Sequence, residues 1–272
     1  MAHLDCSFYS PSLRKNAKLT VFLPTMSADD YLYNDDHPRY FAPDAKYQTL
    51  YLLHGSYGDC MDWCLLANAE LYAHDHCLAV VMPSGENSNY VDMAHGEEYL
   101  TYITKELPAF LTTLFPLSTK REDTFIAGLS MGGGGAFRAA LARPELYAAA
   151  ASLSGALMFP YGMEDRIKDP KAPWPFQAII NSTDVAAIAP TETNLFVQIK
   201  KLQEQGVALP KLFQTVGTED FTYQQNQTAR RELEKLHVEY TYEEAPGIHD
   251  WDYWDTHIQH VLNWLPLANT PV

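Results

Sequence analysis

Short apolar runs bounded by turn residues recur along the chain at Leu19–Leu23, Thr49–Leu53, Leu78–Met82, Thr124–Ala127, Tyr147–Leu153, Leu212–Val216 and Val238–Tyr242. Their continuous hydrophobicity predicts buried strands. Between them, Trp63–His74, Glu97–Leu114, Gly135–Arg143, Thr193–Gln205, Tyr223–Leu236 and Trp251–Leu265 carry apolar residues at helical spacing. Strand and helix in alternation predict a parallel sheet covered on both faces by right-handed crossovers, the α/β class. Two stretches interrupt this rhythm. Met26–Lys46 is rich in Tyr, Asp and Pro, and Met158–Pro190 carries Pro160, Pro170, Pro173, Pro175, Trp174 and Phe176. The second, about 158–190, follows the predicted strand Tyr147–Leu153 and is expected to project above the carboxyl ends of the strands as a cap over a pocket. Packing on the surface or on another subunit is the competing expectation.

The run Thr124–Ala127 leads into Gly128-Leu129-Ser130-Met131-Gly132 and then a helix-like stretch. A serine at the tip of a sharp strand-to-helix turn has a strained backbone, and the residues two before and two after it pass so closely that glycine is required. A serine hydroxyl is a poor nucleophile near neutral pH and needs an adjacent base. In α/β folds with this turn the partners follow in the order serine, acid, histidine. His249, in Pro246-Gly247-Ile248-His249-Asp250-Trp251, lies after the final strand and before the terminal helix and is the candidate base. Asp220, in Gly217-Thr218-Glu219-Asp220-Phe221, is the candidate acid, with Glu219 its competitor and Asp250 too close to His249 in sequence for the ring contact. A tetrahedral oxyanion needs two backbone donors. Met131 supplies one, and the loop His54-Gly55-Ser56-Tyr57-Gly58 supplies the other through Ser56 or, failing that, Tyr57, with Gly55 admitting close approach to substrate.

Composition narrows the partners. With 272 residues and 47% hydrophobic content, residues 1–272 can bury one large core, and one domain is expected. A formal charge of −15 opposes nucleic acid and anionic membrane. There is no apolar run of membrane-spanning length and no signal-like start, so the expected location is cytoplasmic. Cys6, Cys60, Cys64 and Cys77 are too few and too irregular for a disulfide framework and are expected to be thiols. Cys60, Cys64, His74, His76 and Cys77 gather within 18 residues, but their spacing matches no paired zinc-ligand pattern. The expected chemistry uses no metal and no cofactor. A homo-oligomer is compatible with the sequence.

Leu52-Leu53-His54-Gly55, Gly128-Leu129-Ser130-Met131-Gly132-Gly133, Gly217-Thr218-Glu219-Asp220 and Gly247-Ile248-His249-Asp250-Trp251 together resemble the esterase D group of α/β-hydrolases. The nearest branch is the intracellular tributyrin-type esterases. Asn87-Ser88-Asn89-Tyr90-Val91-Asp92 and Lys105-Glu106-Leu107-Pro108 are similar to that group's segment after the third core strand, and the resemblance spans about 50–265. It implies an α/β-hydrolase fold with a small cap insertion, and a cofactor-free serine esterase acting on small-molecule short acyl esters through Ser130, Asp220 and His249. Relatives of the group include S-formylglutathione hydrolases, feruloyl and acetylxylan esterases, and mycolyltransferases. Feruloyl ester, thioester or acyltransferase chemistry, and noncatalytic binding, are therefore the alternatives. Two departures bear on substrate: Met26–Lys46 is longer than in compact relatives, and Gly134 stands where relatives often carry a larger residue. Tyr90 and Asp92 are candidates to line the mouth or to pack under the loop. Phe159, Trp174 and Phe176 are candidates for an apolar wall or for ordinary cap packing.

Overall fold

The computed structural model describes residues 1–33, 40, 44–159, 168, 179 and 194–272. Eight strands form one sheet: β1 (Ala2–Ser10), β2 (Lys15–Leu23), β3 (Thr49–Leu53), β4 (Ala79–Pro83), β5 (Thr124–Leu129), β6 (Ala149–Leu153), β7 (Lys211–Gly217) and β8 (Tyr240–Ala245). The order is β1-β2-β4-β3-β5-β6-β7-β8. Strands β4, β3, β5, β6, β7 and β8 run parallel, while β1 and β2 form an antiparallel pair added through β2 to β4.

The continuous apolar runs arise because both faces of the central strands are covered. On β3, Leu50 and Leu52 point into one core while Tyr51 and Leu53 point into the other. One face is covered by α4 (Tyr99–Thr101), a π-helical turn (Tyr102–Glu106), α5 (Leu107–Leu114), α6 (Met131–Ala142), α7 (Leu195–Glu204) and α8 (Tyr223–Lys235). The other is covered by α2 (Asp62–Leu66), α3 (Ala69–Asp75) and α9 (Trp251–Trp264). On α9, Tyr253, Trp254, Ile258, Val261 and Leu262 form the buried stripe that the 3.6-residue period requires.

Several local outcomes refine the sequence reading. Trp63–His74 is two helices, broken at Ala67 and Asn68, where the Asp255 carboxylate accepts the Asn68 N–H at 2.8 Å. The π turn precedes Pro108, which has no N–H to give the Thr104 carbonyl; Arg143 Nη1 donates to that oxygen instead, at 3.2 Å. Strand β8 begins two residues later than expected because Val238 closes a turn onto Leu233, with His237 at φ +52°. Of the Met26–Lys46 stretch, the described part forms α1 (Ala28–Tyr33). Ser27 Oγ accepts the Asp30 N–H and the Asp30 carboxylate accepts the Ser27 N–H, a reciprocal cap. Burial alone would raise the Asp30 carboxyl, but the bonds from Ser27 and Tyr40 and the nearby His74 lower it to about 2. His74 Nε2 lies 3.3 Å from that carboxylate, which fastens the segment to α3. Most of 158–190, including Trp174 and Phe176, lies outside the described residues.

The β3-to-β4 connection moves toward one edge of the sheet, and the next strand, β5, returns to the other side of β3. Loops leaving the carboxyl ends of β3 and β5 therefore diverge, and the crevice between them is where open α/β sheets bind ligands. His54–Gly58 follows β3, and Ser130 follows β5.

Candidate active site

Ser130 stands between β5 and α6 at φ +52° and ψ −118°, a conformation that costs free energy for a residue with a Cβ. The surrounding contacts hold it there. Its N–H donates to Leu153 O at 2.8 Å, and its carbonyl accepts from Gly133, Gly134 and Ala156. The flanking glycines are needed for close approach: a Cβ on Gly128 would sit 2.5 Å from the Gly132 carbonyl, and one on Gly132 would sit 2.5 Å from His54 O.

His249 Nε2 lies 3.0 Å from Ser130 Oγ, and His249 Nδ1 lies 2.9 and 3.0 Å from the two Asp220 oxygens. The structure thus brings together three residues read from three distant segments. A carboxylate at Nδ1 fixes the proton on that nitrogen, so Nε2 presents its lone pair to the serine. Indole Trp254 meets the imidazole edge to face at 4.9 Å, and Phe221 lies against it at 4.3 Å. Burial alone would raise the Asp220 carboxyl. Hydrogen bonds from His249, from Thr222 N–H and from Ser154 outweigh it and hold the group below its ordinary range, so Asp220 is an anion near neutral pH. Trp254 Nε1 in turn donates to Ser154 Oγ at 3.1 Å. Sequence reasoning did not reach Thr222 or Ser154, whose roles depend on the folded path of β6 and β7.

The competing carboxylates are otherwise engaged. Glu219 turns away: its Oε2 accepts the Gly247 N–H at 2.7 Å and its N–H donates to Gly247 O, tying the loop after β7 to the loop that carries His249. Asp250 is the N-cap of α9, accepting the Tyr253 N–H.

Among the described residues, the N–H groups of Ser56 and Met131 have no protein acceptor, and Ser56 lines the same cavity as Ser130. The β3 loop reaches Ser130 because residue 55 is glycine: a Cβ there would lie 2.5 Å from Leu129 and 3.5 Å from Ser130 Cβ. Tyr57 drops out as a backbone donor. Its N–H is already given to Asn87 Oδ1 at 2.8 Å, and its side chain instead borders the cavity.

The cavity has a volume of about 480 Å³ and is lined by Gly55, Ser56, Tyr57, Leu129, Ser130 and His249, with Asp62, Phe221, Asp250, Trp251 and Trp254 around them. Tyr57 and Phe221 are 68% and 77% exposed and give it an apolar rim. Four residues suggested for the mouth or wall lie elsewhere. Tyr90 is fully buried beneath the loop, and Asp92 caps Thr101 on α4. Gly134 packs against Ala156, where a Cβ would lie 2.7 Å from the carbonyl, so its smallness serves helix packing and not the mouth. Phe159 is buried beside the Arg138 guanidinium. Of the Cys and His cluster, His76 bonds Asn269 and Cys64 Sγ lies 3.9 Å from Met82 Sδ. Among the described residues no three His, Cys, Asp or Glu side chains are grouped to hold a metal, and no helix is long and apolar enough to cross a membrane.

A mostly parallel sheet with a serine on the turn after β5, and an imidazole and a carboxylate from the loops after β8 and β7, defines a serine hydrolase of the α/β-hydrolase class. A family model, Esterase ("Putative esterase"), matches residues 11–265. The acetyl esterase of Caldicellulosiruptor saccharolyticus is 32% identical over 268 residues, covering 97% of this chain and 98% of that protein. Two solved Staphylococcus aureus structures superpose across 97% of this chain and 98% of theirs, both at 32% identity. They are the fluorophosphonate-binding serine hydrolase FphF, at a TM-score of 0.84, and the S-formylglutathione hydrolase FrmB, at 0.81. The chain belongs to the Esterase family and is a serine hydrolase of carboxylic esters.

Proposed function

We propose that the chain hydrolyses short acyl esters, acetyl to butyryl, through an acyl-enzyme on Ser130. The observation that carries this reading is the unbroken line of hydrogen-bonding distances from Asp220 through His249 to Ser130 Oγ. As Oγ attacks the ester carbonyl, His249 Nε2 accepts its proton, and the paired Asp220 anion stabilises the imidazolium that results. The carbonyl oxygen becomes an oxyanion and accepts from the Ser56 and Met131 N–H groups, which have no protein acceptor among the described residues. Collapse expels the alcohol, which takes the proton from His249. Water, deprotonated by the same imidazole, then attacks the acyl-enzyme and releases the acid.

The short acyl preference is supported by the acetyl esterase relative. The four cysteines are free thiols, which favours a reducing compartment such as the cytoplasm. Hydrolysis of a p-nitrophenyl ester series tests the reading. Turnover is expected to be greatest on acetate to butyrate and to fall with longer chains. Ser130→Ala and His249→Ala are each expected to lose roughly 10⁶-fold in kcat, and Asp220→Asn roughly 10⁴-fold, while remaining folded. Full turnover in Ser130→Ala would overturn the mechanism.

A further inference from the structure

Ser56 and Tyr57 are successive residues in the loop after β3, and the N–H of only the first is left without an acceptor among the described residues. What separates them is Asn87. Its Oδ1 accepts the Tyr57 N–H at 2.8 Å, across 30 positions of sequence. Tyr57 sits at φ +66°, a left-handed conformation that a side chain disfavours and that an external contact must help maintain.

The segment bearing Asn87 is itself held in an unusual shape. Glu86, Asn89 and Tyr90 have φ of +50°, +52° and +51°, three left-handed non-glycine residues within five positions. Such strain persists only where surrounding contacts over-determine it. Those contacts lead to the β3 loop and to α6. The Gly85 N–H donates to His54 Nε2 at 2.8 Å, and Tyr90 Oη donates to His54 O at 3.2 Å. Buried Arg138, on α6, donates to Asn89 O at 2.7 Å. Ser88 Oγ closes the turn internally on Gly85 O. The segment is therefore a brace between the nucleophile helix and the loop facing it, and Asn87 extends from it to bond the Ser56–Tyr57 turn.

We propose that Asn87 is a positioning residue of the oxyanion site: by accepting the Tyr57 N–H it holds the left-handed turn that leaves the Ser56 N–H available to the cavity at Ser130. The inference rests on the esterase reading above. Asn87 touches no reacting atom; it acts through the backbone of Tyr57.

The test is steady-state hydrolysis of p-nitrophenyl acetate by wild type, Asn87→Ala, Tyr57→Gly and the double variant. Affinity for a trifluoromethyl ketone, whose serine adduct carries an oxyanion, and thermal midpoints are measured alongside. Asn87→Ala is expected to lose roughly tenfold in kcat with KM within about twofold, a fraction of the roughly hundredfold or greater cost of deleting such a donor outright. Its affinity for the ketone should fall by the same factor. Glycine adopts positive φ without a side-chain penalty, so adding Tyr57→Gly to Asn87→Ala should recover most of the lost kcat. A role in general loop stability would not give that recovery. Wild-type kcat in Asn87→Ala overturns the proposal, as does a kcat loss with neither rescue nor weakened ketone binding. Ser130→Ala in the same series separates the two readings. An inactive Ser130→Ala beside a fully active Asn87→Ala removes only the role of Asn87, whereas an active Ser130→Ala removes the esterase mechanism itself.

Discussion

At the scale of single residues, the site depends on backbone approach as much as on side-chain chemistry. A methyl group on Gly132 would meet the carbonyls of Leu53 and His54 at 2.6 and 2.5 Å, and these are backbone atoms that cannot swing aside. Gly132→Ala is therefore expected to destabilise by about 2 kcal/mol or more, in the range of overpacked cores, and to displace the loop that carries Ser56. Thermal unfolding and kcat should fall together; an unchanged midpoint would contradict the close contact. The serine, histidine and acid were legible because each lies on a sequence-local turn with its own glycine signal: Gly128 and Gly132, Gly217, and Gly247. Asn87 was legible only as part of a resemblance. Its partner is 30 residues away, and nothing in the local pattern says which of two successive amides it occupies.

At the scale of elements, buried histidines give the fold a pH dependence distinct from that of its carboxylates. Burial holds the His54 and His257 imidazoles below their ordinary range. His54 Nε2 accepts the Gly85 N–H, so Nδ1 carries the proton and faces Gly55 O at 2.6 Å; a second proton would break the bond to Gly85. The unfolded chain binds protons at both histidines below about pH 6.5 while the folded chain resists, so stability falls as pH drops through that value. Hydrogen bonds hold the Asp30, Glu106 and Asp220 carboxyls below the ordinary carboxylate range, so their stabilisation is present above that range and is lost as pH falls through the lower folded values. Denaturant unfolding should thus show two windows of loss, one beginning near pH 6.5 and one below about 4.5, and His54→Gln should flatten the first. A profile flat from pH 7 to 5 would contradict the buried neutral imidazoles. Runs of buried strand were readable because they are apolar throughout. Strand β1 was not, since its burial alternates along His3, Asp5 and Ser7 and half of it faces solvent. The break between α2 and α3 was equally hidden, because the capping Asp255 belongs to the last helix.

At the scale of the whole molecule, charge acts on the choice of substrate. The chain carries a formal charge of −15, and Asp62 and Asp250 border the cavity at Ser130. An acetyl ester bearing a carboxylate is expected to show a higher KM than its neutral isostere, with the gap closing as salt is raised toward about 0.5 M, where the screening length falls to a few ångströms. Equal KM values at low salt would contradict this. Strand and helix alternation implied a parallel sheet but not its strand order; the crevice between the β3 and β5 loops follows from the order seen in the fold. The antiparallel edge is a long-range feature that no local spacing encodes. In the proposed mechanism Ser130 carries the acyl group between two half-reactions. Rapid-quench mass spectrometry after mixing with p-nitrophenyl acetate tests it most directly. One acetyl group on the peptide containing Ser130, formed in a burst and absent in Ser130→Ala, is expected; steady turnover with no adduct on that peptide, or an adduct on another residue, would rule out the acyl-enzyme on Ser130.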